Sequence, residues 1–292
     1  MPTNILQQVR QAVGNLNPNE VRETAERPLV IRLEASSEAG YASMERFFAP
    51  AGISSKKRAE IVRALFRADR DVPGRPDLEI YEEGLAGPLE AATFYREDPE
   101  RTVAEILVRH EDLGLPLARY FRPFRVPVVE KVISSIAREN ALFSLLTALP
   151  NVAPGLLTLP WGIAEVGSDT AFLTVNQIRM LFLLAGASDR PIGYNDQRTE
   201  IASVIAGAFG WRALARELVG KIPLGGGLIP KAAVAFAGTY VVGKSAERLY
   251  RVGYGYAREE RRAAFGEAFE RGKQIAGAMW ESRRRGSGTQ KL

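Results

Sequence analysis

Residues 231–245 read Lys-Ala-Ala-Val-Ala-Phe-Ala-Gly-Thr-Tyr-Val-Val-Gly-Lys-Ser, and the fold class depends on how they are interpreted. The last eight, Gly238 to Ser245, match the pattern of a phosphate-binding loop, in which backbone N–H groups surround phosphate at the start of a helix. The middle of the match is bulky, however, because Thr239, Val241 and Val242 are β-branched and resist positive φ angles. The preceding alanines favour a helix over a strand. We therefore predict a helix interior here, and a nucleotide-binding protein using Gly238–Ser245 is only the third alternative.

The composition limits the chemistry that the chain can carry. Its 292 residues are 46% hydrophobic and 25% charged, enough for one large domain or two smaller ones. The absence of cysteine excludes disulfides, thiolate metal sites and cysteine nucleophiles, and is typical of a reducing cytoplasm. The single histidine, His110, has no Gly-x-Ser-x-Gly motif to serve, so we favour a surface position for it. We predict no catalytic residue, cofactor or metal site, and no signal peptide in Met1–Leu16.

The net charge of +5 is concentrated at one end of the chain. From Lys244 onward there are 12 Lys and Arg against 6 Asp and Glu, whereas residues 1–243 carry 27 against 28. A basic end of this kind suits lipid headgroups or nucleic acid, and a solvated helix is the alternative. Because no nucleic-acid-binding motif is present, we expect an anionic membrane face and no nucleic acid.

The first 125 residues predict a mostly helical domain with at most a short strand pair. We expect helices over 3–16, over Lys56–Arg70, whose Ile61, Leu65 and Phe66 share a face, and over Pro99–His110, with more helix across 77–122. Residues 29–33 suit a short strand. Asp71–Pro76 is a linker, and Pro123 and Pro127 predict a break, so we place the domain boundary at 125/126.

The second half contains a long uncharged run. Ala141 to Ala164 has 24 residues without a charge, more than the roughly 20 that cross a bilayer. Three prolines interrupt it, which favours a re-entrant hairpin, an interfacial segment or a buried helix pair over a straight spanning helix. Leu156, Leu157 and Trp161 are therefore the candidate membrane contacts.

The remaining residues predict a helical-hairpin bundle. Helices are expected over 162–187, from Asn195 towards Gly220, over 231–250 and over 257–285, with a glycine-rich turn at Gly225–Gly227. We assign 126–256 to an apolar helical module, 257–285 to a charged basic helix and 286–292 to a disordered tail. Small residues recur every four positions at Ala202, Ala206 and Gly210, and at Ala235, Thr239 and Gly243, which predicts close helix packing.

Polar residues interrupt one apolar helix. Glu165, Asp169 and Asn176 share one stripe at helical spacing, with Gln177 beside it. The two carboxylates could act as an acid–base pair or as metal ligands. We favour a structural cluster in which Arg212 and Arg216 neutralise them, since a buried charge needs a partner.

Residues 165–253 resemble the YcjF-type family of uncharacterised helical domains, found fused to or encoded beside Era-like GTPases. The resemblance rests on Asp169, on three segments and on Ile222-Pro223; the segments are Thr174-Val-Asn-Gln-Ile-Arg-Met180, Gly210-Trp-Arg-Ala-Leu-Ala-Arg-Glu-Leu218 and Ala235-Phe-Ala-Gly-Thr-Tyr-Val-Val-Gly243. It implies membrane association and a GTPase acting in trans, and it supplies no catalytic residues.

Together these features predict a mainly α-helical, non-catalytic protein of the cytoplasm that associates with the membrane. A wholly soluble helical adaptor is the alternative function. A homo-oligomer remains open among the partners.

Overall fold

The computed structural model describes residues 13–14, 16–69, 74–148, 169–207 and 227–288. These residues are mainly helical, which confirms the predicted class, and they include one small parallel sheet. Two compact units are distinguished by their internal contacts. The first, an α/β unit, comprises Glu20–Val129 and Gly186–Pro191, and the second, a helical unit, comprises Met1–Asn19, Glu130–Ala185 and Ile192–Leu292.

The α/β unit is built around four parallel strands, β1 (Ile31–Glu34), β2 (Leu65–Arg67), β3 (Leu78–Glu82) and β4 (Ala92–Phe94). Their order in the sheet is β2-β1-β3-β4. Alternate residues of β1 and β3 are buried, as the period of two in a strand requires; they are Ile31, Leu33, Leu78 and Ile80. The register pairs Ile31 with Leu65 on one side and with Leu78 on the other.

Five short α-helices among the described residues complete the unit, and two of them connect β1 to β2. They are α1 (Pro18–Glu26), which begins just before it, α2 (Glu38–Phe48), α3 (Ser55–Val62), α4 (Pro99–Arg109) and α5 (Gly114–Tyr120). Oxygen-bearing side chains cap three of them by accepting backbone N–H groups: Ser37 caps α2, Ser54 caps α3 and Asp98 caps α4. The core is aromatic, and the Phe48 and Phe121 rings meet edge to face with centroids 4.8 Å apart.

Several sequence predictions for this unit are wrong. A strand pair at most was expected, but four strands are present. The helix predicted over Lys56–Arg70 ends at Val62, and the next residues form β2, because Leu65–Arg67 pairs with β1. Strands also replace part of the helix expected across 77–122, whereas the expected strand near residues 29–33 and the helix from Pro99 are confirmed. Pairing with a distant strand has overridden the local helical pattern.

The long helices are α6 (Arg122–Leu146), α7 (Asp169–Ala187), α8 (described over 198–207), α9 (Leu228–Val252) and α10 (Arg258–Gly288). The predicted break at Pro123 and Pro127 is wrong, since α6 runs through both. Pro123 lies in the first turn, where its missing N–H costs nothing, and only Pro127 removes a helical hydrogen bond. The contact division falls at 129/130, within α6, rather than at a loop.

Helices α9 and α10 form an antiparallel hairpin of the kind that the sequence predicts. The turn begins at Gly253, whose φ of 91° suits glycine and ends α9. Close approach continues along the pair, because a Cβ at Gly272 would lie 2.9 Å from the Ala233 carbonyl oxygen. Helix α10 continues to Gly288, three residues into the tail for which disorder was predicted, and residues 289–292 lie outside the described part.

Helix α7 carries the most apolar described stretch. Among the described residues, one window, Thr170–Ala187, is long and apolar enough to cross a membrane, and 78% of it is buried inside the protein. Its Phe172 ring stacks on Phe143 of α6 at 3.8 Å. A buried core helix of a soluble protein meets the same length and apolarity criteria, so this helix alone does not distinguish a membrane-associated protein from a soluble one.

Candidate functional site

The string that matches a phosphate-binding loop lies in the interior of α9, as predicted. Residues 238–245 are helical throughout, so their backbone N–H groups are donated to carbonyls four residues earlier instead of surrounding an anion. Gly243 has a packing role, because a Cβ there would lie 2.8 Å from both Cγ atoms of Ile133 and 3.0 Å from Met180 Sδ. This agrees with the predicted small-residue face of Ala235, Thr239 and Gly243, all of which are buried.

Lys244 is held by carboxylates. Its Nζ lies 3.6 Å from Glu130 Oε2 and 3.5 Å from Glu247 Oε2. Burial lowers the pKa of this lysine, but the charges of Glu247 and Glu130 outweigh that effect, and the pKa is raised. The Lys244 side chain therefore stays protonated at neutral pH and is held in place by these two carboxylates.

The second predicted small-residue face is wrong where it is described. Ala202 and Ala206 of α8 are exposed, and Ile201 and Val204 form the buried side instead. A small side chain permits close packing without requiring it. The third member, Gly210, and the turn residues Gly225 and Gly226 lie outside the described residues.

A buried polar network contains two of the predicted site residues, Asn176 and Gln177. Thr239 Oγ1 accepts hydrogen bonds from Asn140 Nδ2 at 2.7 Å and from Gln177 Nε2 at 3.2 Å. Asn176 Nδ2 donates to Asn140 Oδ1 at 2.9 Å. The network thus joins α6, α7 and α9 in the middle of the helical unit.

The same network reaches one ion pair. Arg179 donates to Asn176 Oδ1 at 2.8 Å and to Glu139 Oε2 at 3.2 Å. Burial lowers the pKa of Arg179 and outweighs the opposing effect of Glu139. Every amide here bonds to a neighbouring side chain, so the arrangement holds three helices in register.

The remaining predicted site residues cannot be placed around this network. Asp169 begins α7, and its side chain lies outside the described part. Glu165, Arg212 and Arg216, together with Leu156, Leu157 and Trp161, also lie outside the described residues. The sequence did not indicate Glu139, Asn140 or Arg179 as members, although Thr239 belonged to a predicted packing face.

A second polar cluster lies at the carboxyl edge of the sheet. Glu82, the last residue of β3, accepts from the Ser36 backbone N–H at 2.9 Å and from Ser36 Oγ at 2.7 Å, and Arg96 lies 2.9 Å away. These Ser36 hydrogen bonds, followed by the Arg96 charge, hold the pKa of Glu82 below its ordinary value. Gly40 admits the carboxylate, since a Cβ there would lie 2.6 Å from Glu82 Oε2. No group of three or more potential metal ligands occurs among the residues that the structure describes.

A third arrangement joins the Gly186–Pro191 segment to the rest of the α/β unit. Asp189, which has a φ of 57°, lies 2.9 Å from Lys57 Nζ. The guanidinium of Arg119 donates to the Arg190 carbonyl at 2.9 Å and pairs with Glu26 at 2.8 Å. An ion pair to Asp189 and a charge-assisted hydrogen bond to the Arg190 carbonyl therefore hold this short segment.

The helical unit also contains an open cleft of about 620 Å³. Its floor is apolar and buried, and it is formed by Leu181 of α7, Val204 of α8, and Val241 and Ala246 of α9. Its outer edge is polar, with three exposed arginines from the first turns of α10, Arg258, Arg261 and Arg262, and one carboxylate, Glu200. This volume lies within the range of about 300–1,000 Å³ that is usual for small-molecule sites.

Comparison with known proteins finds no match: no family model, no curated protein and no solved structure matches the chain. The resemblance to the YcjF-type family therefore stays a prediction. Of the arrangements above, the cleft alone combines an open volume with an unbalanced charge, and it is the candidate binding site.

Proposed function

We propose that the protein is a non-catalytic helical module that associates with the cytoplasmic face of a membrane through anionic lipid headgroups. The surface of α10 is the observation that carries this proposal. Phe265, Ala268 and Ala276 on this helix are buried, whereas its arginines face solvent; the described exposed ones are Arg258, Arg261, Arg262, Arg271, Arg283 and Arg285. An amphipathic helix whose apolar side already packs on α9 leaves its basic side facing solvent.

The charge distribution supports a membrane partner. The basic excess of the chain lies from Lys244 onward, and α10 contains most of those basic residues. Each Lys or Arg near an anionic membrane surface contributes about 1 kcal/mol of attraction, so even a partly neutralised helix would bind measurably.

The burial of α7 supports peripheral association over a span by this helix, because 78% of its apolar window already contacts protein. Leu156, Leu157 and Trp161 remain proposed membrane contacts on sequence grounds. A GTPase partner in trans enters the proposal through the family resemblance.

Vesicle co-sedimentation tests the proposal. The full chain should sediment with vesicles that contain phosphatidylglycerol but not with vesicles of pure phosphatidylcholine. Added salt should release it, because salt screens the charges. Arg283→Gln with Arg285→Gln should weaken sedimentation about tenfold. The matched control, Arg63→Gln with Arg75→Gln, removes the same charge from exposed positions of the α/β unit and should have little effect. A protein that stays in the supernatant at low salt would overturn the proposal.

The alternative is a wholly soluble helical adaptor. The buried apolar window of α7 is compatible with it, since a core helix of a soluble protein would be buried in the same way. If the protein is monodisperse and binds no anionic vesicle, the soluble adaptor is the better explanation.

A further inference from the structure

We propose that the cleft among α7, α8, α9 and the start of α10 binds one acyl chain of an anionic phospholipid, with the phosphate at its arginines. This inference rests on the proposed function, since it takes the ligand from the membrane surface. It goes further by assigning a discrete site and a ligand class.

The apolar floor indicates the acyl chain. Leu181, Val204, Val241 and Ala246 present only hydrocarbon to the cleft, and each is buried by its neighbours. A polar ligand would lose hydration against these four side chains without gaining hydrogen bonds from them. An acyl chain would gain roughly 25 cal/mol for each Å² of apolar surface removed from water.

The arginines indicate an anionic head. Arg258, Arg261 and Arg262 stand at i, i+3 and i+4, so they share one face of α10. They also lie at the start of that helix, where the backbone dipole favours an anion. Glu260, in the same turn, already pairs with Arg248 at 2.6 Å and accepts the Ala257 N–H at 2.7 Å. Glu200 is the opposing carboxylate in the lining, which leaves a positive excess.

The connection between α9 and α10 fixes one wall of the site. The Tyr256 backbone N–H donates to Ser245 Oγ at 3.0 Å, which holds the connection on α9. A Cβ at Gly255 would lie 2.7 Å from the same oxygen, so glycine permits this approach. The arginines therefore start from an anchored turn and not from a loose loop.

Titration calorimetry with a short-chain phosphatidylglycerol, kept below its micelle concentration, tests the site in the full chain. Binding is expected, and the matching short-chain phosphatidylcholine should bind at least about tenfold more weakly because it has no net charge to pair with the arginines. Arg258→Gln with Arg261→Gln should weaken phosphatidylglycerol binding about tenfold or more. Arg251→Gln with Lys273→Gln removes the same charge outside the cleft and should leave it within about twofold.

Blocking variants separate this inference from general membrane attraction. Ser203 and Thr199 line the cleft at exposed positions, so Ser203→Trp should fill it without disturbing the core, and Thr199→Trp serves if the first variant misfolds. Either should abolish binding of the soluble lipid while vesicle co-sedimentation persists. The cleft site would be overturned if the short-chain phosphatidylglycerol did not bind, or if its binding survived both tryptophan variants. It would also be overturned if the Arg258→Gln, Arg261→Gln variant and its control, Arg251→Gln with Lys273→Gln, weakened binding equally. If the unaltered protein did not bind anionic vesicles, the proposed function itself would be overturned.

Discussion

Gly243 of α9 faces Ile133 of α6 so closely that a Cβ at Gly243 would lie 2.8 Å from both Cγ1 and Cγ2 of Ile133. That separation is shorter than any ordinary carbon contact. The glycine that completes the phosphate-loop pattern is thus required where two helices cross.

Replacing this glycine should destabilise the helical unit. We expect Gly243→Ala to lower the free energy of unfolding by about 1–3 kcal/mol, because the added methyl overpacks the α6–α9 contact. Gly266→Ala is the matched control: apart from the adjacent backbone of its own helix, no atom lies within 4 Å of its added Cβ, and it should stabilise α10 by about 0.5–1 kcal/mol. Urea unfolding measures both.

A second variant ties the effect to the contact. Ile133→Ala removes both Cγ atoms, so Gly243→Ala should cost less in that background. An alanine at 243 that is tolerated in the unaltered protein would contradict the close packing.

Thr239 should be needed for its oxygen. Thr239→Val keeps the shape of the side chain but leaves the buried amides of Asn140 and Gln177 without their acceptor, and we expect a loss of about 1–3 kcal/mol. In an Asn140→Leu background the same change should cost less, because one donor is gone. Urea unfolding of the unaltered protein, the two single variants and the double variant gives the coupling energy between Thr239 and Asn140. Strictly additive losses of unfolding free energy would contradict a shared network.

Stability of the α/β unit should depend on pH through Glu82. Because its pKa is lower in the folded state, the carboxylate contributes stability at neutral pH, and this is lost as pH falls below the ordinary value of about 4.3. Glu82→Gln should cost about 1.5–3 kcal/mol at neutral pH and nothing once Glu82 is protonated. Hydrogen exchange of the β1 amides measures the opening free energy.

The neighbouring exposed Glu83 provides the control for this prediction. Glu83→Gln removes the same charge but is expected to change the opening free energy by less than about 0.5 kcal/mol at every pH. A pH-independent effect of Glu82→Gln would show that packing, not charge, is lost.

Nucleotide binding should be absent from the 238–245 segment. Calorimetric titration with ATP or GTP and magnesium should show no affinity that depends on Lys244. Lys244→Ala should cost at most about 1 kcal/mol of stability, because its ion pairs are partly exposed to solvent. Nucleotide affinity that disappears in this variant would restore the loop interpretation.

The sequence predicted the elements whose signal is local. Residues 231–250 and 257–285 repeat small and apolar residues at helical spacing, and both segments are helices. The strands β2 and β4 could not be predicted, since each has only three residues and exists through pairing with a distant partner. Pro127 misled the boundary because a proline near the start of a helix need not end it.

The site was predictable to a similar degree. Asn176 and Gln177 stood out because polar residues on an apolar helix need partners. Their partners were not evident, since Asn140 and Thr239 are 99 residues apart in sequence and meet only when three helices pack. The cleft could not be predicted from the sequence either, because its floor and its arginines come from four helices that meet only in the folded protein.

The ion pair of Asp189 with Lys57 has a consequence for how the chain can be divided. Residues 186–191 belong to the α/β unit although the chain that surrounds them belongs to the helical unit. A fragment that stops after Val129 would therefore lack a piece of its own structure, and Lys57 and Arg119 would lose the carboxylate and carbonyl that this piece supplies. No single cut yields two intact halves, so dissection by truncation requires splicing the 186–191 hexapeptide back into the shorter fragment.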